Sequence, residues 1–261
     1  MTDHSHAGEA QPVLQATNVT KRFGPCRAVD DLTLQVPYGE LFGFLGPNGA
    51  GKTTTIKMIC GLLRPTAGRV FVAGADPIGG GPEVRRRMAY IPDSPFLYDR
   101  LTAAEFFEFT GRLYGVPIRR IEEAREQAFV RFGLTDAADL LIKDFSHGMR
   151  QRLIYATTLV RDPDIYLIDE PFLGLDPYGI RQIKELLRQR ARAGAAVFFT
   201  THILALIEDL ADRVGILHGG RLIACGSVAE LRGDANNARR LEDVFLDLTG
   251  ERTCSTIPPT S

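Results

Sequence analysis

Gly46-Pro47-Asn48-Gly49-Ala50-Gly51-Lys52-Thr53 is the stretch that decides how this sequence of 261 residues is read. The apolar run Leu41-Phe42-Gly43-Phe44-Leu45 comes immediately before it and predicts a buried strand. After it, Ile56, Ile59, Cys60 and Leu63 recur at helical spacing, so the stretch joins a strand to a helix. A glycine-rich loop in that context is a phosphate-binding loop. The glycines at 46, 49 and 51 let backbone N–H groups turn towards an anion with no Cβ in the way. The helix expected from Lys52 adds unpaired N–H donors and the positive end of its dipole. Lys52 supplies a mobile charge for the outer phosphates, and the Thr53 hydroxyl is a candidate ligand for Mg²⁺. A nucleoside triphosphate is the expected ligand.

Composition narrows the class. Hydrophobic residues make up 44% of the chain, enough for a sizeable core arranged as one large domain or two lobes. Lysine and arginine number 31 against 32 acidic residues, so no global field favours nucleic acid. The basic clusters Arg85-Arg86-Arg87, Arg119-Arg120 and Arg239-Arg240 read as solvated faces. The four cysteines, at 26, 60, 225 and 254, have no metal-ligand or redox spacing, as expected for unpaired thiols in a reducing cytosol. No run approaches the ~18 apolar residues of a membrane span, and the polar start lacks the layout of a signal peptide. Residues 1–11, with His4 and His6, and residues 251–261, with Pro258-Pro259, are expected to be disordered tails.

Strand-like runs appear near Leu14–Val19, Leu32–Val36 and Arg69–Val72, and again at Ile165–Ile168, Ala195–Thr200 and Val214–Leu217. Between these groups, about 94–160, helical periodicity dominates, and Thr102 with Glu105 forms a capping-box signature at one helix start. The pattern predicts an α/β core interrupted by a helical lobe. Asp164-Ile165-Tyr166-Leu167-Ile168-Asp169-Glu170-Pro171 is a strand running into two carboxylates. Downstream of a phosphate loop, the first acid is the expected Mg²⁺ ligand and Glu170 the expected general base. A second strand delivers His202 to the same carboxyl edge, where open α/β sheets bind ligands. Phe145-Ser146-His147-Gly148-Met149-Arg150-Gln151-Arg152 opens a helix with Ser146 as N-cap, and Gly148 permits close approach of an anion.

Together these segments resemble the ATP-binding subunit of an ATP-binding cassette (ABC) transporter, over about residues 13–250. The phosphate loop matches Gly46–Thr53, the signature motif matches Ser146–Gln151, and Gly174-Leu175-Asp176-Pro177 matches the loop that meets a partner subunit. The resemblance implies a P-loop core with a mainly parallel sheet, an amino-terminal antiparallel β portion and the inserted helical lobe, all within 12–250. It implies ATP and Mg²⁺ as cofactors, with Phe23 against adenine. Gly46, Pro47, Asn48, Gly49, Ala50, Gly51, Lys52, Thr53 and Thr54 would hold the phosphates. Ser146 and Gly148 would reach the nucleotide of a second subunit. Thr53, Asp93 and Asp169 would form the metal site, while Glu170, His202 and Lys52 carry catalysis.

Two departures stand out. Asp93 occupies a position where the family usually carries Gln or Glu, and His147 and Met149 stand where Gly and Gln are typical. The Arg-Gln-Arg run and Leu241–Leu246 resemble the exporter subgroup with separate permeases. The expected protein is therefore an ATPase on the cytoplasmic face of a membrane, working as a pair and powering a separate integral permease. The aromatic-rich segment Asp93–Phe109 is its expected docking surface. A soluble ABC-type ATPase of cofactor assembly, or a regulatory ATP-binding subunit with weak catalysis, remains the alternative reading.

Overall fold

Two antiparallel strands, β1 (Leu14–Phe23) and β2 (Cys26–Val36), precede β3 (Leu41–Leu45), and α1 (Lys52–Ile59) follows the glycine-rich loop. Then come β4 (Ala67–Val72), α2 (Gly81–Arg86) and β5 (Met88–Ile91). A helical stretch carries α3 (Ala103–Leu113), α4 (Ile118–Phe132) and α5 (His147–Leu159). The chain resumes with β6 (Ile165–Asp169), α6 (Pro177–Arg192), β7 (Ala196–Thr201), α7 (Leu204–Leu210), β8 (Arg213–His218) and β9 (Arg221–Ser227). It closes with α8 (Val228–Arg232) and α9 (Leu241–Thr249). The computed structural model describes residues 11–94, 96–172, 174–233 and 240–250. Both tails, apart from Gln11, lie outside the described residues, as does Cys254; Cys26, Cys60 and Cys225 are free thiols.

The strands form two sheets. One is antiparallel in the order β2-β1-β4, and the other runs β5-β6-β7-β3-β8-β9, parallel except for the β8–β9 pair. Alternation along the parallel strands sorts their side chains onto two faces. Leu41 and Leu45 of β3, Tyr166 and Ile168 of β6, and Val197 and Phe199 of β7 join one core with α3 to α7. Phe42 and Phe44, Ile165 and Leu167, and Ala196 and Phe198 join the other, with α1 and the antiparallel sheet. In that second core Phe198 lies 5.5 Å from Phe42 and 5.2 Å from Phe44, ring centre to ring centre. Burying each such ring contributes roughly 1.5–3 kcal/mol. The parallel sheet is therefore covered on both faces, which explains why its strands read as continuous apolar runs.

Register fixes what happens at the edge. Leu45 pairs with Thr201, Asp169 with Thr200, and Ile91 with Ile168. Those four strands thus finish level, and β7 separates β3 from β6. The phosphate loop, the acidic pair and the Thr200-Thr201-His202 run emerge side by side as a consequence.

In the helical stretch, Thr102 caps α3 with both halves of its capping box formed: its hydroxyl accepts from Glu105 N at 3.2 Å, and the Glu105 carboxylate accepts from Thr102 N at 2.8 Å. Two strands had no clear signal in the sequence. β5 is four residues long and follows directly on Arg85-Arg86-Arg87. β9 is an edge strand with one buried residue, Gly226, so it carries little apolar pattern.

Candidate active site

The phosphate loop is held from below by backbone. Ala50 N donates to Pro47 O at 3.2 Å, closing the turn, and Gly46 N donates to Thr201 O at 3.4 Å. The β8–β9 turn braces its flank, with Gly220 N donating to Ala50 O at 3.1 Å and Asp30 N to Gly220 O at 2.8 Å. Gly51 has φ +107°, and a Cβ there would come 2.3 Å from Ala28 O, so only glycine fits. Gly51 is also the N-cap of α1, with no side-chain cap and no acidic residue in the first turn. The first N–H groups of α1 therefore stay available to an anion, at the positive end of the helix.

Lys52 is 6% exposed, and its ammonium donates to Gly46 O at 2.7 Å and Pro47 O at 3.2 Å. The same Nζ lies 3.8 Å from Glu170 Oε1. Burial pulls its ionisation below the ordinary lysine value, and the charges of Glu170 and Asp169 oppose that shift. Asp169 ends β6 and is 2% exposed. Its Oδ1 accepts the Thr200 hydroxyl at 2.5 Å, whereas Oδ2 is buried without a partner. A buried, unpaired carboxylate oxygen costs stability unless something compensates it. A hard cation taking oxygen ligands is such a compensation. The exposed Thr53 hydroxyl stands at the start of α1 as a second oxygen, so the residues present fit Mg²⁺.

Glu170 adopts φ +50°, a left-handed conformation uncommon for a residue with a side chain. Its N–H is held by both Thr200 O and Thr200 Oγ1, each at 3.2 Å. Its Oε1 meets His202 Nδ1 at 2.9 Å. One carboxylate oxygen is thus flanked by a lysine from the phosphate loop and a histidine from the end of β7. Thr200, bonded to both acids, was not singled out in the sequence. Its signal was there: a polar Thr-Thr pair closing an otherwise apolar strand, just before His202.

The remaining candidates stand apart from this cluster. Asp93 lies two residues past β5, exposed, on the edge beside β6, and its Oδ1 accepts from Ser94 N at 2.7 Å. Phe23 is 51% exposed at the tip of the β1–β2 hairpin, with the Lys21 ammonium 5.2 Å from its ring centre. Ser146 caps α5, its hydroxyl accepting from Met149 N at 3.3 Å. The carbonyl of Gly148 accepts from Arg152 Nε at 3.4 Å. Neither the Ser146 hydroxyl nor the Gly148 carbonyl makes these bonds with the phosphate loop; both serve the first turns of α5. Among the described residues, no group of three or more His, Cys, Asp or Glu is arranged to cage a metal.

The family described as ABC transporter matches residues 29–173, more than half of the chain and the span from β2 past the acidic pair. The chain belongs to the ABC transporter family. ABC relatives align well beyond that span. The daunorubicin/doxorubicin resistance ATP-binding protein DrrA of Streptomyces peucetius is 40% identical over 229 residues, covering 87% of this chain and 69% of that protein. The bacitracin transport ATP-binding protein BcrA of Bacillus licheniformis is 37% identical over 212 residues, covering 81% of this chain and 68% of its own length. A solved ATP-binding subunit of an ABC transporter superposes with a TM-score of 0.86 at 33% identity, covering 91% of this chain and 99% of that one. The architecture is thus that of an ABC ATP-binding subunit: a P-loop α/β core with a mainly parallel sheet and an antiparallel sheet packed against it.

Proposed function

We propose that this chain hydrolyses ATP as one of a pair of ATP-binding subunits and drives export through a separate membrane permease. The observation that carries the reading is the Glu170 carboxylate, set between Lys52 and His202 at the foot of the phosphate loop. Family membership supports ATP as the nucleotide, and the names of the resistance and transport relatives support export.

Residues 46–54 hold the phosphates, with Lys52 compensating their charge. Phe23 offers an exposed aromatic face to the adenine ring. Thr53 and Asp169, assisted by Asp93, hold Mg²⁺, which when bound neutralises developing charge on the transferred phosphoryl group. Glu170 accepts a proton from the attacking water. His202 fixes the Glu170 carboxylate and reports the outer phosphate to β7. Ser146 and Gly148 act on the nucleotide of the other subunit, at the N-terminus of α5. A two-fold pairing makes both sites equivalent, since each contact occurs twice.

Among the described residues no helix is long and apolar enough to cross a membrane. In the proposed arrangement a partner spans the membrane and this chain sits on its cytoplasmic face, as family membership supports. Tyr98 and Phe109, 51% and 42% exposed, form an apolar surface suited to that partner, and Phe96, 87% exposed, lies two residues before Tyr98. Tyr98 meets Phe109 edge-on at 5.5 Å, giving the patch a fixed shape.

Purification from detergent-solubilised membranes tests the reading. An integral membrane protein should co-purify, and the pair should release phosphate from ATP faster than this chain alone. A chain that recovers without a membrane protein, and whose hydrolysis ignores membrane extracts, would overturn the transport role.

A further inference from the structure

Along α5, His147, Gln151 and Tyr155 recur every four residues and so share one side of the helix. Both ends of that row meet the segment that follows Glu170. The Tyr155 hydroxyl, on a fully buried side chain, donates to the Pro171 carbonyl at 3.1 Å. The His147 ring lies over Gly174: a Cβ built on that glycine would come 2.1 Å from His147 Cδ2. Gly174 has φ +74°, a conformation that favours glycine, and the absent Cβ leaves the space that the imidazole occupies. Between these two contacts Gln151 is fully buried, with neither amide atom bonded.

The Tyr155 bond matters because of what precedes Pro171. Glu170 has a left-handed backbone, and such conformations persist only where the surroundings hold them. Thr200 holds the N–H of Glu170 on one side. Pro171 has no N–H, so its carbonyl is the one backbone polar group that Pro171 itself offers. Tyr155 takes that carbonyl. Burial pushes the ionisation of Tyr155 up, so its O–H remains a donor throughout the working pH range.

We infer that Tyr155 is a positioning residue for Glu170, clamping the backbone of the carboxylate to the helix that begins at Ser146. The inference rests on the reading of Glu170 as general base and of Ser146 as acting on the opposite subunit's ATP. On that basis α5 joins the two sites of a pair. Its N-terminus senses nucleotide in one, while Tyr155 and His147 hold the catalytic segment of the other.

Tyr155→Phe keeps the ring and removes only the donor. Its kcat should fall about tenfold, the loss of one buried hydrogen bond expressed in a rate. KM for ATP should stay within about twofold, since no phosphate contact changes. On the paired-site reading the native protein responds cooperatively to ATP, and Tyr155→Phe should bring its Hill coefficient towards 1. A merely structural role would lower the melting temperature and leave kcat per folded subunit and the Hill coefficient unchanged, which overturns the inference. His147→Ala, at an exposed position, repeats the test at the other contact without burdening the core: cooperativity should drop, and wild-type cooperativity in soluble His147→Ala would overturn the coupling even if Tyr155→Phe failed to fold. Glu170→Gln separates the two levels. If it turns over normally, the reading of Glu170 fails; if it is inactive while Tyr155→Phe matches wild type, only the clamp fails.

Discussion

Nδ1 of His202 lies 2.9 Å from Oε1 of Glu170, although the two residues leave the sheet on different strands. The contact follows from register: Asp169 pairs with Thr200, so the residues after them stand level across β6 and β7. Lys52 Nζ reaches the same oxygen at 3.8 Å from the far side of β7. Three elements therefore meet on one carboxylate, and any movement of β7 changes its surroundings. On the function proposed above, catalysis and sensing of the outer phosphate would share that atom.

Glu170→Gln keeps the shape of this arrangement and removes the proton acceptor. Turnover should fall by roughly 10²–10⁴-fold, while ATP still binds. With hydrolysis blocked, a closed dimer should accumulate on ATP and be seen by light scattering. Near-normal phosphate release from the variant would remove Glu170 from the role of base.

Asp169→Asn separates stability from chemistry. The side-chain oxygen of asparagine can still accept from the Thr200 hydroxyl, but its NH₂ offers no ligand to a cation. Hydrolysis should collapse, and the Mg²⁺ needed to support nucleotide binding should rise. Without nucleotide, however, the melting temperature should stay level or increase, because the variant removes a buried negative charge, and the NH₂ that replaces the unpartnered oxygen is neutral. A clear loss of melting temperature in the nucleotide-free protein would mean that Asp169 is held for structural reasons.

Much of this was legible in the sequence, for identifiable reasons. The phosphate loop needs glycines at fixed offsets, and its strand and helix flank it, so Gly46–Thr53 carries its own context. The doubly covered parallel strands are uninterrupted apolar runs, and both expected N-caps, Thr102 and Ser146, form as expected. Short or peripheral elements leave less trace: β5 has four residues, and β9 buries one. Contacts across strands leave none. Thr200 bonds two acids thirty-odd positions away, and Tyr155 reaches from α5 to Pro171 in the turn after β6. Both residues look like ordinary members of a strand and a helix until register and packing bring their partners beside them.

Asp93 tests how far an unusual residue can serve at the edge of the site. It lies two residues past β5, the neighbour of β6, one methylene shorter than glutamate and charged where glutamine is not. If it assists Mg²⁺ or the attacking water, Asp93→Ala should lower turnover and shift its Mg²⁺ dependence, with a modest effect on ATP affinity. Asp93→Gln should keep substantial activity. Identical rates and Mg²⁺ titrations for Asp93→Ala and the native protein would leave Asp93 as a loop acid bonded to Ser94.

The shared-site arrangement is open to a direct test by mixing, given a homodimer. Lys52→Ala removes the ammonium that belongs to the phosphate loop. Ser146→Arg blocks the start of α5 with bulk, at an exposed position where the substitution leaves the core intact. If each ATP lies between one subunit's loop and the other's α5, neither homodimer has an intact site. A heterodimer with one subunit of each kind has one site carrying both lesions and one carrying none. The intact site should restore ATP-dependent closure, read by a crosslink across that interface. Crosslinking is the better readout, since hydrolysis can require both sites to be filled. Were each subunit to hold a self-contained site, both would stay defective and mixing would rescue nothing. Absence of rescue in a verified heterodimer therefore counts against the shared site, whatever the activity of the native pair.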